Sequence, residues 1–258
     1  MIALAASAFL VSSGVDQGRA PGAVRLVPAA PRLLQVAAGA AEEEADGLYA
    51  RRADPASARR AAELWAARLA KDPDDFDAAW KLARADYWLG GHTAEPERTM
   101  RFEDGIARGR TAVRLQPNRP EGHFWLAANM GALAELSSRA GLRYRRAIKE
   151  ELETVRRLDP AFLQGSADRA LGRWYAKVPR LFGGDKQEAE RRLRASLQYN
   201  PHSTASHFFL AELFVEEGRR DEARAELQAV LDAPFDPDWE PEDQDFKAKA
   251  RALLAKLP

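Results

Sequence analysis

The chain has 258 residues, with 39 Lys+Arg set against 39 Asp+Glu, so it carries no net charge and lacks the basic field that nucleic-acid binding needs. It contains no cysteine, which excludes disulfides, thiolate metal sites, a cysteine nucleophile and a lipid-modified N-terminal cysteine. Hydrophobic residues at 46%, charged residues at 30% and few β-branched runs point to a helical protein, either one large domain or a repeat array with a continuous core.

Residues 1–40 read as a leader or a disordered arm, and 41–258 as the folded body. Ile2 to Val11 is apolar but lacks a positive flank and is too short to span a bilayer. Leu33 to Ala40 is a second apolar run. It ends in Ala38-Gly39-Ala40, a small-x-small pattern that a signal peptidase would cut before Ala41. This predicts an export leader. The alternative is a cytoplasmic protein with an Ala- and Pro-rich arm, in which Pro21, Pro28 and Pro31 interrupt any long helix.

Helical signals then follow in pairs. Glu42 to Ala53 and Ser57 to Leu69 make the first pair. The second opens at Asp75, carries Trp80, Leu82, Ala83, Tyr87 and Trp88, and stops at Gly90-Gly91. The third runs from Glu121 through Trp125, Leu126, Ala127 and Met130. In the fourth, an aromatic helix with Ser166 near its start ends at Val178-Pro179. A Gly183-Gly184 turn follows, and Asp185 with Glu188 reads as a capping box. The fifth spans Ser203 to Ala233 with Asp221 as an internal N-cap. Pro241 to Leu257 reads as a C-terminal capping helix.

The second helix of every pair repeats one spacing. Ala61, Trp65, Arg68 and Pro73 stand at offsets 0, 4, 7 and 12. So do Gly105, Gly109, Ala112 and Pro117; Ile148, Leu152, Val155 and Pro160; and Ala189, Leu193, Ser196 and Pro201. Ala223, Leu227, Val230 and Pro234 end one residue early. A recurrence of this size signals stacked helical hairpins: small residues let two helices approach, larger ones fill the groove, and proline ends the helix before the chain reverses. The fold class is therefore all-α, a superhelix of about five hairpins with a terminal cap.

In the last hairpin Leu210, Ala211, Phe214, Ala223 and Leu227 resemble the packing positions of tetratricopeptide (TPR) repeats. Earlier hairpins hold 10, 9 and 5 more residues between the small positions of their two helices. The segments WYAKVPRLFGGDKQEAERRL, KLARADYWLG and EGHFWLAANMG are similar to the T-component proteins of TRAP transporters. The latter two are also similar to the microtubule-dynamics regulator family. The T-component resemblance implies a periplasmic TPR-like protein that partners a TRAP substrate-binding protein for organic acids. It also implies a trimer with a channel through the helical body. Members are often tethered by a lipidated cysteine, which this chain lacks.

No catalytic residue, metal site or cofactor is expected. His92, His123, His202 and His207 have no ligand spacing, and His123 and His207 read as packed core residues. There is no Gly-x-Ser-x-Gly, Ser166 reads as an N-cap, and Gly183 to Lys186 lacks phosphate-loop spacing. The segment Arg139 to Arg146, RAGLRYRR, is a basic helix start, either a surface for an acidic partner or a solvated turn. The candidate binding face lies on the first helices of the hairpins. Trp80, Arg84 and Trp88 are spaced by four with Tyr87 adjacent, Arg169, Arg173 and Lys177 are spaced by four, and Phe124 and Phe208 hold the equivalent place elsewhere. A groove of cations and aromatics suits a small organic acid, the guanidinium pairing with carboxylate and the rings covering the apolar remainder. Otherwise the tryptophans pack helices together and the cations are surface.

Overall fold

A computed structural model describes Gly39 and residues 42–257, so the leader and its cleavage point lie outside the described residues. Among the described residues every regular element is a helix. These are α1 (42–50), α2 (Pro55–Lys71), α3 (Phe76–Gly91), α4 (Glu97–Leu115), α5 (Pro120–Leu136), α6 (Ser138–Leu158), α7 (Phe162–Lys177), α8 (Lys186–Ser196), α9 (Thr204–Glu216), α10 (Arg220–Asp232) and α11 (Glu240–Leu254), with a 3-10 turn at Arg180–Phe182. They form five hairpins stacked into a TPR-like superhelix, with α11 as the terminal cap.

The repeated spacing is the packing code. On α6 the buried residues are Ile148, Leu152 and Val155, on α8 they are Ala189, Leu193 and Ser196, and on α10 they are Ala223, Leu227 and Val230. Each triad packs between the first helix of its own hairpin and the element that follows. On α4 glycine sets the approach: a Cβ on Gly109 would stand 2.8 Å from the Cα of Leu126, so the two backbones touch directly. Four of the second helices stop at Asp72, Gln116, Asp159 and Ala233, each immediately before a proline that disfavours helical geometry in its predecessor.

The additional residues of the earlier hairpins are mostly helix. The helices α3 to α6 run 16, 19, 17 and 21 residues against 13 and 13 in the last pair, and α5 passes into α6 through Ser137 alone. In the fourth hairpin the insertion is the 3-10 turn. Three capping expectations are corrected. Asp185 caps α8 by accepting from the amides of Gln187 and Glu188, but Glu188 binds Arg191 and Arg192 instead of reaching back. The N-cap of α10 is Arg219, which leaves Asp221 in the first turn, where a carboxylate favours the helix dipole. Ser166 donates its hydroxyl to the Phe162 carbonyl rather than accepting from an amide.

Two histidines brace the stack in the same way. His123 Nδ1 lies 2.5 Å from Glu151 and Nε2 2.9 Å from the Pro117 carbonyl. His207 Nδ1 lies 2.6 Å from Glu226 and Nε2 2.9 Å from the Pro201 carbonyl. Each ring thus ties its own hairpin to the proline that ended the previous one. Burial opposes the charged form, but the carboxylate and the carbonyl outweigh it, so both pKa values are raised.

The ends of the array meet. Arg52, just after α1, donates from Nε to Glu242 at 2.9 Å and from Nη2 to both Glu242 and the Asp238 carbonyl, the latter at 2.7 Å. His92 Nε2 lies 3.0 Å from Asp245. The terminal cap is therefore joined to the first and second hairpins across almost the whole sequence.

Gly109→Ala is expected to destabilise the chain in urea unfolding. Forcing a methyl against the Leu126 backbone costs about 1–3 kcal/mol, which exceeds most of the gain in helix propensity of about 1 kcal/mol. The histidine braces set a pH dependence. With folded pKa values above the unfolded value near 6.5, the folded chain binds more protons. Their stabilisation is complete below about pH 6.5 and is lost as pH rises through the folded values. Unfolding free energy should fall across that window, and the double variant His123→Asn, His207→Asn should flatten the slope.

Candidate functional site

The concave side of the superhelix encloses a groove of about 1620 Å³. Its walls come from the first helices of the hairpins and from α6, and the cap closes one side. Tyr87 of α3, Phe124 and Trp125 of α5, and Phe208 and Phe209 of α9 supply rings from the array; Trp239 and Phe246 supply them from the cap region. Phe209 meets Phe246 edge to face with centroids 5.6 Å apart, and Tyr87 lies 5.8 Å from Trp125.

Six of the nine candidate residues line this groove: Tyr87, Phe124, Arg169, Arg173, Lys177 and Phe208. Three stand elsewhere. Trp88 packs into the core between α1, α2 and α3, donating its indole N–H to the Arg52 carbonyl at 2.9 Å and stacking on His92. Arg84 lies in a box of Tyr49, Trp65 and Trp80, its Cζ at 4.0, 5.6 and 5.1 Å from their centroids, and burial lowers its pKa. Trp80 donates to Asp77 on its own helix. The four-residue spacing does bring Trp80 and Arg84 together, but α1 and α2 cover them before the groove begins.

The three groove cations of α7 differ in their partners. Arg173 donates to Glu135 and Glu212, both at 2.8 Å, and lies over Phe209 at 4.3 Å. Burial would lower its pKa, but the two carboxylates raise it overall. Lys177 is paired with Glu216 at 2.7 Å. Arg169 has no ion pair or hydrogen bond among the described residues. Burial pushes its guanidinium down to about 10, opposed only by the Tyr87 hydroxyl.

The register of the repeat explains this difference. Arg173 and Lys177 stand one and five residues after the small residue Gly172. Glu212 and Glu216 stand one and five after its counterpart Ala211, so the acids of α9 meet the cations of α7. Arg169 is three residues before Gly172, and the same place holds Phe124 before Ala127 and Phe208 before Ala211. Its neighbours in register are rings, which supply no counter-ion.

Several groove residues were not foreseen. Trp125 and Phe209 share the place two residues before Ala127 and Ala211, so the repeat pattern contained a signal for them. Phe246 reaches the groove by packing on Phe208 and Phe209, and Trp239 beside Arg52, whose bond to Glu242 spans 190 residues, a contact for which the sequence carries no signal. Leu163, Gln164 and Gly165 have left-handed φ of 44°, 58° and 73°, a turn that costs on the order of 1 kcal/mol or more for each non-glycine residue. It presents Leu163 and Gln164 to the groove, where Gln164 donates to Asp236 at 2.8 Å and accepts from Asn200 at 2.6 Å. Among the described residues no cluster of His, Asp and Glu is placed to hold a metal ion, and no helix is long and apolar enough to cross a membrane.

Two family profiles match, each over more than half of the chain. Residues 42–183 match "Regulator of microtubule dynamics protein 1-3" and residues 121–257 match "TRAP transporter T-component". No curated protein matches. Among solved structures, a thermophilic TPR protein of Thermus thermophilus superposes with a TM-score of 0.64 at 23% identity, over 84% of this chain and 99% of its own. A structure of MamA protein reaches 0.49 at 16% identity, over 82% of this chain and 94% of its own. The Thermus likeness shows the TPR fold, an architecture that generally serves as a scaffold for protein–protein contact. The chain belongs to the TPR-like helical families of the microtubule-dynamics regulators 1–3 and the TRAP transporter T-components.

Proposed function

We propose that the protein is a non-catalytic accessory of a TRAP-type organic-acid transport system. Its groove holds the acid, and the array meets a partner, a TRAP substrate-binding protein. The observation that carries this reading is Arg169. A half-buried guanidinium without a carboxylate partner, between aromatic walls, is destabilising to the empty protein unless an anion occupies it. Because Arg173 and Lys177 are already neutralised, α7 offers the groove one free cation among the described residues, which suits one carboxylate on an apolar body. The match to the T-component profile supports the transport setting, and export with removal of residues 1–40 and assembly as a trimer belong to the same reading.

Calorimetric titration with 2-naphthoate, an aromatic monocarboxylate, and 2-naphthalenemethanol, its uncharged analogue, tests the groove. The acid should bind more tightly than the alcohol. Arg169→Met should remove that preference, a loss of about 1.5–3 kcal/mol, while leaving thermal stability unchanged or higher because a half-buried charge without a carboxylate partner has gone. Equal isotherms for acid and alcohol, or lower stability in the variant, would overturn the anion reading and leave a general TPR scaffold. N-terminal sequencing and native mass of the protein expressed in a Gram-negative host check the rest: a mature chain starting at Ala41 and a trimeric mass are expected.

A further inference from the structure

We propose that the rim of the groove formed by the first half of α6 and the 3-10 turn docks on an anionic lipid bilayer. Of the eight exposed large hydrophobic residues among those described, Leu142, Leu181 and Phe182 lie on these two segments and Leu136 ends α5 two residues before α6. Leu181 is 87% exposed and Leu142 56%. Such side chains are usually scattered over a surface, so their collection on one rim needs a reason.

Charge is segregated at the same place. From Ser138 to Lys149 the chain has five cations and no acid, although the whole protein is neutral. Arg139, Leu142, Arg143 and Arg146 follow the i, i+3, i+4, i+7 spacing and form one face of α6. Across from it, Arg145 lies over Phe182 at 4.9 Å, and the Trp174 indole donates to the Arg145 carbonyl at 2.8 Å, which fixes the turn beside the helix. The guanidinium groups of Arg139 and Arg180 have no ion pair, hydrogen bond or ring contact among the described residues, and that of Arg143 touches only the Tyr144 ring. Arg146 reaches Glu150 on its own helix in an exposed pair of little energetic weight.

Protruding leucines and a phenylalanine among unpaired arginines fit the acyl boundary of a bilayer with anionic headgroups above it. A folded acidic partner would need a separate pocket for each protruding side chain, whereas a fluid interface admits them without one. The association is with the surface, since no described helix can cross a membrane.

Co-sedimentation of the full-length chain with phosphatidylglycerol/phosphatidylcholine vesicles, compared with phosphatidylcholine alone, tests this. Binding to the anionic vesicles is expected, with release at high salt. Leu181→Asp and the double variant Arg139→Gln, Arg143→Gln should each lower the partition coefficient by about tenfold or more, with unchanged thermal unfolding because all three positions are exposed. Absence of binding to anionic vesicles would overturn the proposal. So would binding that both variants retain, which would place it on another segment, or docking of an acidic protein on this face without vesicle binding.

Discussion

Close approach of neighbouring helices at small residues is the constraint on which the rest of this structure depends, inside a hairpin where Gly172 meets the Ala189 carbonyl and between hairpins where Gly109 meets Leu126. It is set by the small residues at the crossing points and leaves room for only three buried side chains on α6, α8 or α10. Once that distance is fixed, so are the residues that can meet from one hairpin to the next, and polar contacts repeat with the period of the stack. The clearest case is the position four before the small residue of a first helix, opposite the position three after the small residue of its second helix. These hold His123 and Glu151, Asp168 and Arg192, His207 and Glu226, and each pair is bonded, at 2.5, 2.9 and 2.6 Å. In the fourth hairpin acid and base have changed sides. The geometry demands one cation and one anion across the gap and is indifferent to which helix supplies which. Where α3 has Ala79 instead, Arg108 turns to the buried Asp86 at 2.6 Å. Burial raises the Asp86 pKa to about 6 against the pull of Arg108 and Arg101.

This periodicity explains what could be read from the chain. Offsets of 0, 4 and 7 before a proline are local, since they reflect one helix face and its end, so most of the triads and helix stops were legible from the chain; the exceptions are Arg68, which stays half-buried, and α8, which ends at Ser196 rather than at Asn200-Pro201. Helix starts were less so. Asp221 and Ser166 have the right side chains for N-caps, yet the chain enters the helix two residues earlier or through a left-handed turn, and a cap depends on backbone angles that residue type does not report. The candidate face was legible for the same reason as the triads: positions three before the small residue point inward in α5, α7 and α9. It failed at α3, where α1 and α2 cover Trp80 and Arg84, and whether a face is covered is a property of the assembly.

Closure by the cap is the least local feature. Arg52 is 4% exposed and touches the rings of Tyr49, Trp88 and Trp239 as well as Glu242. Burial by itself would lower the Arg52 pKa, and the Glu242 carboxylate reverses this, leaving it raised, while Glu242 itself is raised by its own burial. A desolvated pair of this kind contributes little net stability against apolar residues of the same shape but is costly to break from one side. Its effect is on geometry: together with the packing of Phe246 on Phe208 and Phe209 it keeps the cap region beside the first hairpin and bounds the groove.

Arg169 then stands out because every other inward charge on α7 is answered. Arg173 and Lys177 meet acids that the repeat delivers in register, while the register of Arg169 delivers Phe124 and Phe208. A guanidinium in such a place costs desolvation that nothing among the described residues offsets, which is why its pKa falls to about 10 while that of Arg173 rises. Charges retained against stability are characteristic of binding sites, where the missing partner arrives with the ligand. The unanswered cation of α7, the ring-lined walls of the groove and its closure by α11 therefore belong to one argument: the repeat that neutralises its own charges on this helix leaves one for a molecule that is not part of the chain.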